Sequence, residues 1–170
     1  NALNSIAPSV PVSANIDSDN NGYVDALSFV IYGSPGDWAD LLWPHKWSLY
    51  SVDVEINGSL VYDYLFMLSE SWYFNVGVLC HEFFHSLGAP DLYHYWDDVS
   101  PVAVGGWDVM DASSDIPQSM SAYMKYRYTE WITNLPIISI GGTYEINPLS
   151  NPFNNIYRIN SPLSNEYFVL

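Results

Sequence analysis

Residues 81 to 93 read HEFFHSLGAPDLY, and their spacing sets the terms for the rest of the chain. Upstream of and through this stretch, from about Ser71 to Leu87, the residues Val76, Cys80, Phe83, Phe84 and Leu87 recur on one broad apolar face, which predicts a helix. Gly88 and Pro90 end it, because glycine accepts a left-handed backbone and proline cannot continue the hydrogen-bond ladder. On such a helix His81 and His85 share a face, so both imidazoles can reach one metal ion. Glu82, beside the first histidine, points to the side where a bound water would sit and suits a general base rather than a ligand. The plain alternative for HExxH is a helix with polar residues on its solvent face.

Two histidines leave a tetrahedral zinc one protein ligand short. The chain offers Asp91, His94 and Glu130 for that place. Gly88 favours Asp91, since a positive φ turns the chain sharply back and returns a residue three positions later toward the metal. A carboxylate oxygen is a legitimate third ligand, and His94 and Glu130 stay open as alternatives.

A second candidate metal site lies upstream, in NIDSDNNGYVD. Asp17, Asp19, Asn21 and Asp25, with Gly22 at the bend and Tyr23 offering a backbone carbonyl, match positions 1, 3, 5, 9, 6 and 7 of a calcium loop of the EF-hand type. Ser28 stands where that loop has its bidentate glutamate, and an apolar run follows instead of a helix. The segment is therefore not a true EF-hand, and an Asx-rich turn is the simpler reading. Calcium is the expectation, because side-chain oxygens at alternating positions repel one another without a cation.

Composition narrows the partners. With 19 acidic residues against 4 basic ones the formal charge is -15, which argues against nucleic acid and anionic membranes, both of which need a basic footprint. No run approaches the roughly 18 to 20 apolar residues of a membrane span. Cys80 is the single cysteine, so no intramolecular disulfide can staple the fold, and a bound cation is a plausible stabiliser. Cys80 reads as inert on the buried side of the helix. His45, between aromatics in WPHKW, reads as a hydrogen-bonded structural residue, with a second metal as the less favoured role. Tyr93, Tyr95 and Trp96 either shape a subsite or pack in a loop. Composition sets no oligomeric state.

Along the chain, residues 1 to 14 read as an extended lead-in and ALSFVIYG as a buried strand. SPGDWADLLWPHKW is turn-rich, and VDVEINGSLVYDYLFMLS reads as a hairpin about Asn57-Gly58. A second helix is expected from about Pro117 to Trp131, and short β-like runs from Ile137 onward. The absence of an initiator Met and the strand-like end NEYFVL suggest a piece of a longer protein.

The motif from His81 to Asp91 resembles the extended zinc motif of the metzincin metallopeptidases, in the variant with aspartate as third ligand. The run V104-G-G-W-D-V-M110-D-A-S resembles their Met-turn. Together with LGAPDLY, the DSDNNGYVD loop and LLWPHKW, it is similar to the immune inhibitor A-like family of secreted bacterial metallopeptidases, over a stretch from about Asn15 to the C-terminus. That resemblance implies an α+β metzincin-like catalytic domain over residues 1–135, without its first strand and helix, and a β-rich segment over 136–170, itself cut short. It also implies an extracellular zinc endopeptidase acting on protein or peptide substrates, with structural calcium and Met110 as the floor beneath the metal. Phe84 and Glu130 stand where the family usually carries glycine, and no tyrosine follows the Met-turn until Tyr123. A metal-stabilised binding module that has lost catalysis is the competing reading.

Overall fold

A computed structural model describes residues 2–38, 41–96 and 99–170 as a small α+β protein with a mixed sheet and few helices. The chain divides into two compact units, residues 1–86 with 114–117, and residues 87–113 with 118–170.

In the first unit, the expected lead-in is instead a short helix, α1 (Ala2–Ile6), followed by a single 3-10 turn at Ala7–Ser9. Local sequence gave no period there, and burial supplies the reason. Leu3 joins Val24, Val54, Ile56 and Val61 in a buried cluster, with Ala7 and Val10 packed against it. An apolar anchor placed in a core offsets a helix too short to stand alone.

The apolar run after the Asp-rich loop forms β1 (Ser28–Ile31). It is followed by β2 (His45–Ser48), β3 (Glu55–Ile56), β4 (Ser59–Leu60) and β5 (Asp63–Leu68). β5 is central: β1 pairs with it in parallel, Ser28 opposite Leu65, and β2 pairs antiparallel, His45 opposite Phe66. The expectation of a buried first strand fails. β1 is an edge strand with Val30 and Ile31 exposed, while β5 carries the buried Leu65, Met67 and Leu68. β2 arises inside the stretch that reads as turns, because its hydrogen bonds come from β5 and not from local preference.

Asn57-Gly58 forms the expected tight turn, with φ of 51° and 90° at its two residues, joining β3 to β4. The second run of that hairpin keeps its partner through Val61, whose N–H donates to the Val54 carbonyl at 2.8 Å, and then enters the three-stranded sheet as β5. The helix that carries the HExxH string, α2 (Val76–Ser86), follows and lies against β2 and β5.

The second unit contains a 3-10 turn at Gly105–Trp107, the helix α3 (Ala122–Tyr128), and a hairpin of β6 (Arg158–Asn160) and β7 (Tyr167–Val169). Helix α3 is shorter than expected because Ser121 caps it, its hydroxyl accepting the N–H of Met124. The run GTYEINPL forms no strand, whereas the two runs after it pair as β6 and β7. Val109, Met110, Met120, Met124 and Ile156 are buried in this unit. No helix among the described residues is long and apolar enough to cross a membrane.

Candidate metal centre

Helix α2 begins at Val76 because Asn75 caps it: the side-chain oxygen accepts the N–H of Val78 at 2.9 Å and the carbonyl accepts that of Leu79 at 3.1 Å. The residues expected to open the helix form a turn instead, with the N–H of Phe74 on the carbonyl of Ser71. Gly77 has a packing reason absent from any helical pattern. A Cβ added there would lie 1.8 Å from the backbone oxygen of Ser114, so only glycine lets residues 114–117 pass this close to the helix.

The buried face of α2 differs from the predicted one. Gly77, Val78, His81 and Glu82 are buried, whereas Val76, Phe83 and Leu87 are exposed. The helix therefore turns its HExxH stripe inward and leaves much of its apolar stripe in water. That arrangement is costly for polar side chains unless partners or an ion satisfy them.

His81 and His85, one helical turn apart, bring their Nε2 atoms to 3.2 Å with the rings nearly perpendicular. A tetrahedral zinc bound by two imidazoles at about 2.0 to 2.1 Å would hold those nitrogens about 3.3 Å apart. After α2 ends, Gly88 adopts φ 89°, the left-handed conformation expected of it. One ligand atom from each of His81, His85 and Asp91 lies within 4.8 Å of the others. Two imidazoles and a carboxylate form a donor set that fits zinc. The alternatives do not join this group among the described residues. His94 directs Nε2 to the Pro101 carbonyl at 2.9 Å, and Glu130 is exposed.

Asp91 is held by a partner the sequence reading did not single out for that purpose: the hydroxyl of Tyr95 donates to its Oδ2. Just before it, Ala89 is buried; just after, the N–H of Leu92 donates to the carbonyl of Met110 at 2.9 Å. The methionine turn is thereby tied by its backbone to the segment that carries Asp91.

Met110 is fully buried, and its turn is organised by Asp108. This carboxylate, with no exposed surface, accepts the N–H of Met110 at 2.8 Å and that of Ser121 at 2.7 Å, so one side chain fixes both the turn and the start of α3. The carbonyl of Asp108 also accepts the N–H groups of Asp111 and Ala112. Asp111 in turn accepts from Gly105 at 2.8 Å, where the backbone has φ 55°. Burial pushes the Lys125 ammonium below its ordinary pKa, while the nearby charge of Asp108 opposes that shift. Asp108 escaped the sequence reading. Its signal was an aspartate two residues before a buried methionine, a spacing that suits side-chain capping of the backbone.

The Asp-rich loop brings together Asp17, Asp19 and Asp25, with one oxygen of each within 4.8 Å of the others. These oxygens already accept hydrogen bonds. Asp17 takes the N–H groups of Asn21 and Gly22 at 3.0 and 2.9 Å and the hydroxyl of Ser59 at 3.1 Å. Asp19 takes the Asn21 N–H at 3.1 Å, and the Asn21 side chain accepts the N–H of Tyr23 at 2.8 Å. Gly22 supplies the bend with φ 86°. The Ser18 hydroxyl, with the Ser18 N–H, holds the Asp25 carboxyl below its usual range. The network is that of an Asx-rich turn whose carboxylates also face one another, and β4 anchors it through the N–H of Leu60 on the carbonyl of Gly22.

His45 takes its structural place: Nδ1 donates to the Trp43 carbonyl at 2.6 Å, and the ring stacks on Phe66 at 5.3 Å. Cys80 is half-buried. Compared with known proteins, the sequence matches no family model and finds no significant match among curated proteins.

Proposed function

We propose that the chain is the catalytic part of a secreted zinc endopeptidase with a metzincin-like fold, spanning residues 1–135 and followed by a β-rich segment over 136–170. The observation that carries the reading is the grouping of His81, His85 and Asp91, with their ligand atoms within 4.8 Å, beside a buried Glu82. Further support comes from the mixed sheet with its antiparallel strand β2 against α2, from the positive φ of Gly88, and from the buried methionine turn bonded to Leu92. Glu82 has no purpose in a purely structural zinc site, which favours catalysis over a binding module.

In this reading His81, His85 and Asp91 would hold the ion, which would supply Lewis acidity to a peptide carbonyl and acidify water. Glu82 takes a proton from the attacking water as its oxygen bonds to the carbonyl carbon, and passes that proton to the departing amine nitrogen as the C–N bond breaks. Burial of Glu82 limits the access of bulk water to its carboxylate. Met110 contributes apolar packing and no bond to metal. A second, structural cation, calcium, belongs to Asp17, Asp19, Asn21, Asp25 and the Tyr23 carbonyl. The three facing carboxylates support it.

The test compares zinc content and casein hydrolysis of the wild type, Glu82→Ala and Asp91→Ala. Glu82→Ala keeps zinc and loses activity by at least about a hundredfold, the scale of general-base catalysis. Asp91→Ala loses much of both. Zinc-loaded wild type that cleaves no protein or peptide substrate would leave the binding-module reading in its place.

A further inference from the structure

On the first unit, four aromatic rings form a continuous exposed row. Trp47 meets Tyr50 at 6.4 Å and 88°, Tyr50 meets Tyr62 at 6.1 Å and 89°, and Tyr62 meets Tyr23 at 6.1 Å and 72°. Their exposures are 57%, 72%, 42% and 47%, so each leaves much of its ring in solvent. The row comes from three places in the sequence, Tyr23, the stretch 47–50 and Tyr62, and is assembled only by the fold. Successive rings stand almost at right angles, so they do not make the flat platform on which a sugar ring would lie. They offer ring faces in alternating directions, each carrying the negative quadrupole that attracts cations.

The surroundings are acidic. Asp53 and Glu55 are exposed between Tyr50 and Tyr62 in sequence, and neither belongs to the Asp-rich loop that carries Tyr23. Lys46 is the only Lys or Arg before Lys125, and Asp63 holds it at 2.8 Å. Where the described residues do show a cation over a ring, at Arg127–Tyr128 and Arg158–Tyr167, it is in the other unit. The row thus has rings, carboxylates and no cation of its own.

We propose that this row binds a cationic peptide segment of a partner, seating Lys and Arg side chains on the ring faces while the neighbouring carboxylates supply the opposing charge. The site shares no residue with the metal centre and holds whether or not the chain cleaves peptides. Charge attraction brings the segment in, and the rings determine where it rests.

The experiment measures binding of a fluorescein-labelled deca-lysine peptide in low salt by anisotropy. Wild type is compared with Trp47→Ala/Tyr50→Ala, which leaves the net charge untouched, and with Trp47→Phe/Tyr50→Phe, which keeps the rings. The expected result is at least a tenfold loss for the alanine pair, retention within threefold for the phenylalanine pair, and no binding of deca-glutamate. Tyr50→Ala alone, at the most exposed ring, decides the matter if the pair unfolds, and should still cost threefold. Deca-lysine binding that ignores the alanine substitutions would overturn the proposal in favour of diffuse charge. So would no binding by the wild type, or row-dependent binding of cellohexaose instead.

Discussion

At the residue scale, two side chains outside the HExxH string matter most to the candidate centre. Tyr95 touches no metal in this reading, yet its hydroxyl bonds the carboxylate of Asp91 and so fixes how that group is presented. Removing such an outer partner usually weakens metal binding by 10- to 100-fold. Tyr95→Phe should therefore lower zinc affinity about tenfold in a chelator competition while leaving the thermal midpoint nearly unchanged. Equal affinity in the two proteins would deny Tyr95 that part. Asp108 acts on the fold instead, since its carboxylate satisfies two backbone N–H groups in a site without solvent. Asp108→Ala would strand both donors, each costing about 1 to 3 kcal/mol. Chemical denaturation should show a loss of about 2 to 6 kcal/mol, and a change below 1 kcal/mol would mean water replaces the carboxylate. The sequence marked Tyr95 only as a subsite or loop-packing residue and Asp108 not at all, because a tyrosine in a loop and an aspartate before a methionine take these roles only from the groups that fold against them.

At the scale of the element, α2 shows why helical periodicity predicted its existence better than its orientation. The spacing of apolar residues indicated a helix, and a helix formed, yet it buries Gly77, Val78, His81 and Glu82 in place of the more apolar stripe. Hydrophobic patterning fixes the period of an element, while the surface it meets decides which stripe turns inward. Gly77 is the clearest sign of that decision. Gly77→Ala would raise intrinsic helix propensity by about 1 kcal/mol, but the new methyl would meet the Ser114 backbone at 1.8 Å. Overpacking against a backbone that cannot swing aside typically costs about 1 to 3 kcal/mol or more. The clash should win, giving a lower melting temperature and weaker zinc binding together. A more stable Gly77→Ala protein would show that residues 114–117 give way easily. The strand β2 makes the same point in reverse: no local preference marks HKWS, and β5 supplies its ladder.

At the scale of the whole molecule, charge governs how the protein responds to ions and pH. A formal charge of -15 opposes compaction, and calcium at the Asp-rich loop would relieve part of that repulsion. Calcium should raise the melting temperature at neutral pH by several degrees, in proportion to the logarithm of its concentration. The pH dependence has a definite sign. The Asp25 carboxyl, held low in the folded protein by Ser18, favours folding above its unfolded pKa near 4, and the benefit disappears as pH falls through its lower folded value. Protonation also removes a calcium ligand, so the calcium shift should shrink between pH 6 and pH 3. A melting temperature unaffected by removal of calcium alone would count against the loop as a cation site.

The sequence by itself determined what depends on neighbours along the chain. Asn57-Gly58 turns because both residues accept positive φ, the chain turns away after α2 at Gly88 for the same reason, and His81, Glu82 and His85 share one region because a helix repeats every 3.6 residues. Tertiary structure decided what depends on distant partners. It set the helix at Leu3, the exposure of β1, the inward stripe of α2, the double role of Asp108 and the meeting of Trp47, Tyr50, Tyr62 and Tyr23. The division follows from the range of the forces: dihedral preferences and periodicity act within a few residues, whereas burial and buried hydrogen bonds are fixed only when remote segments meet.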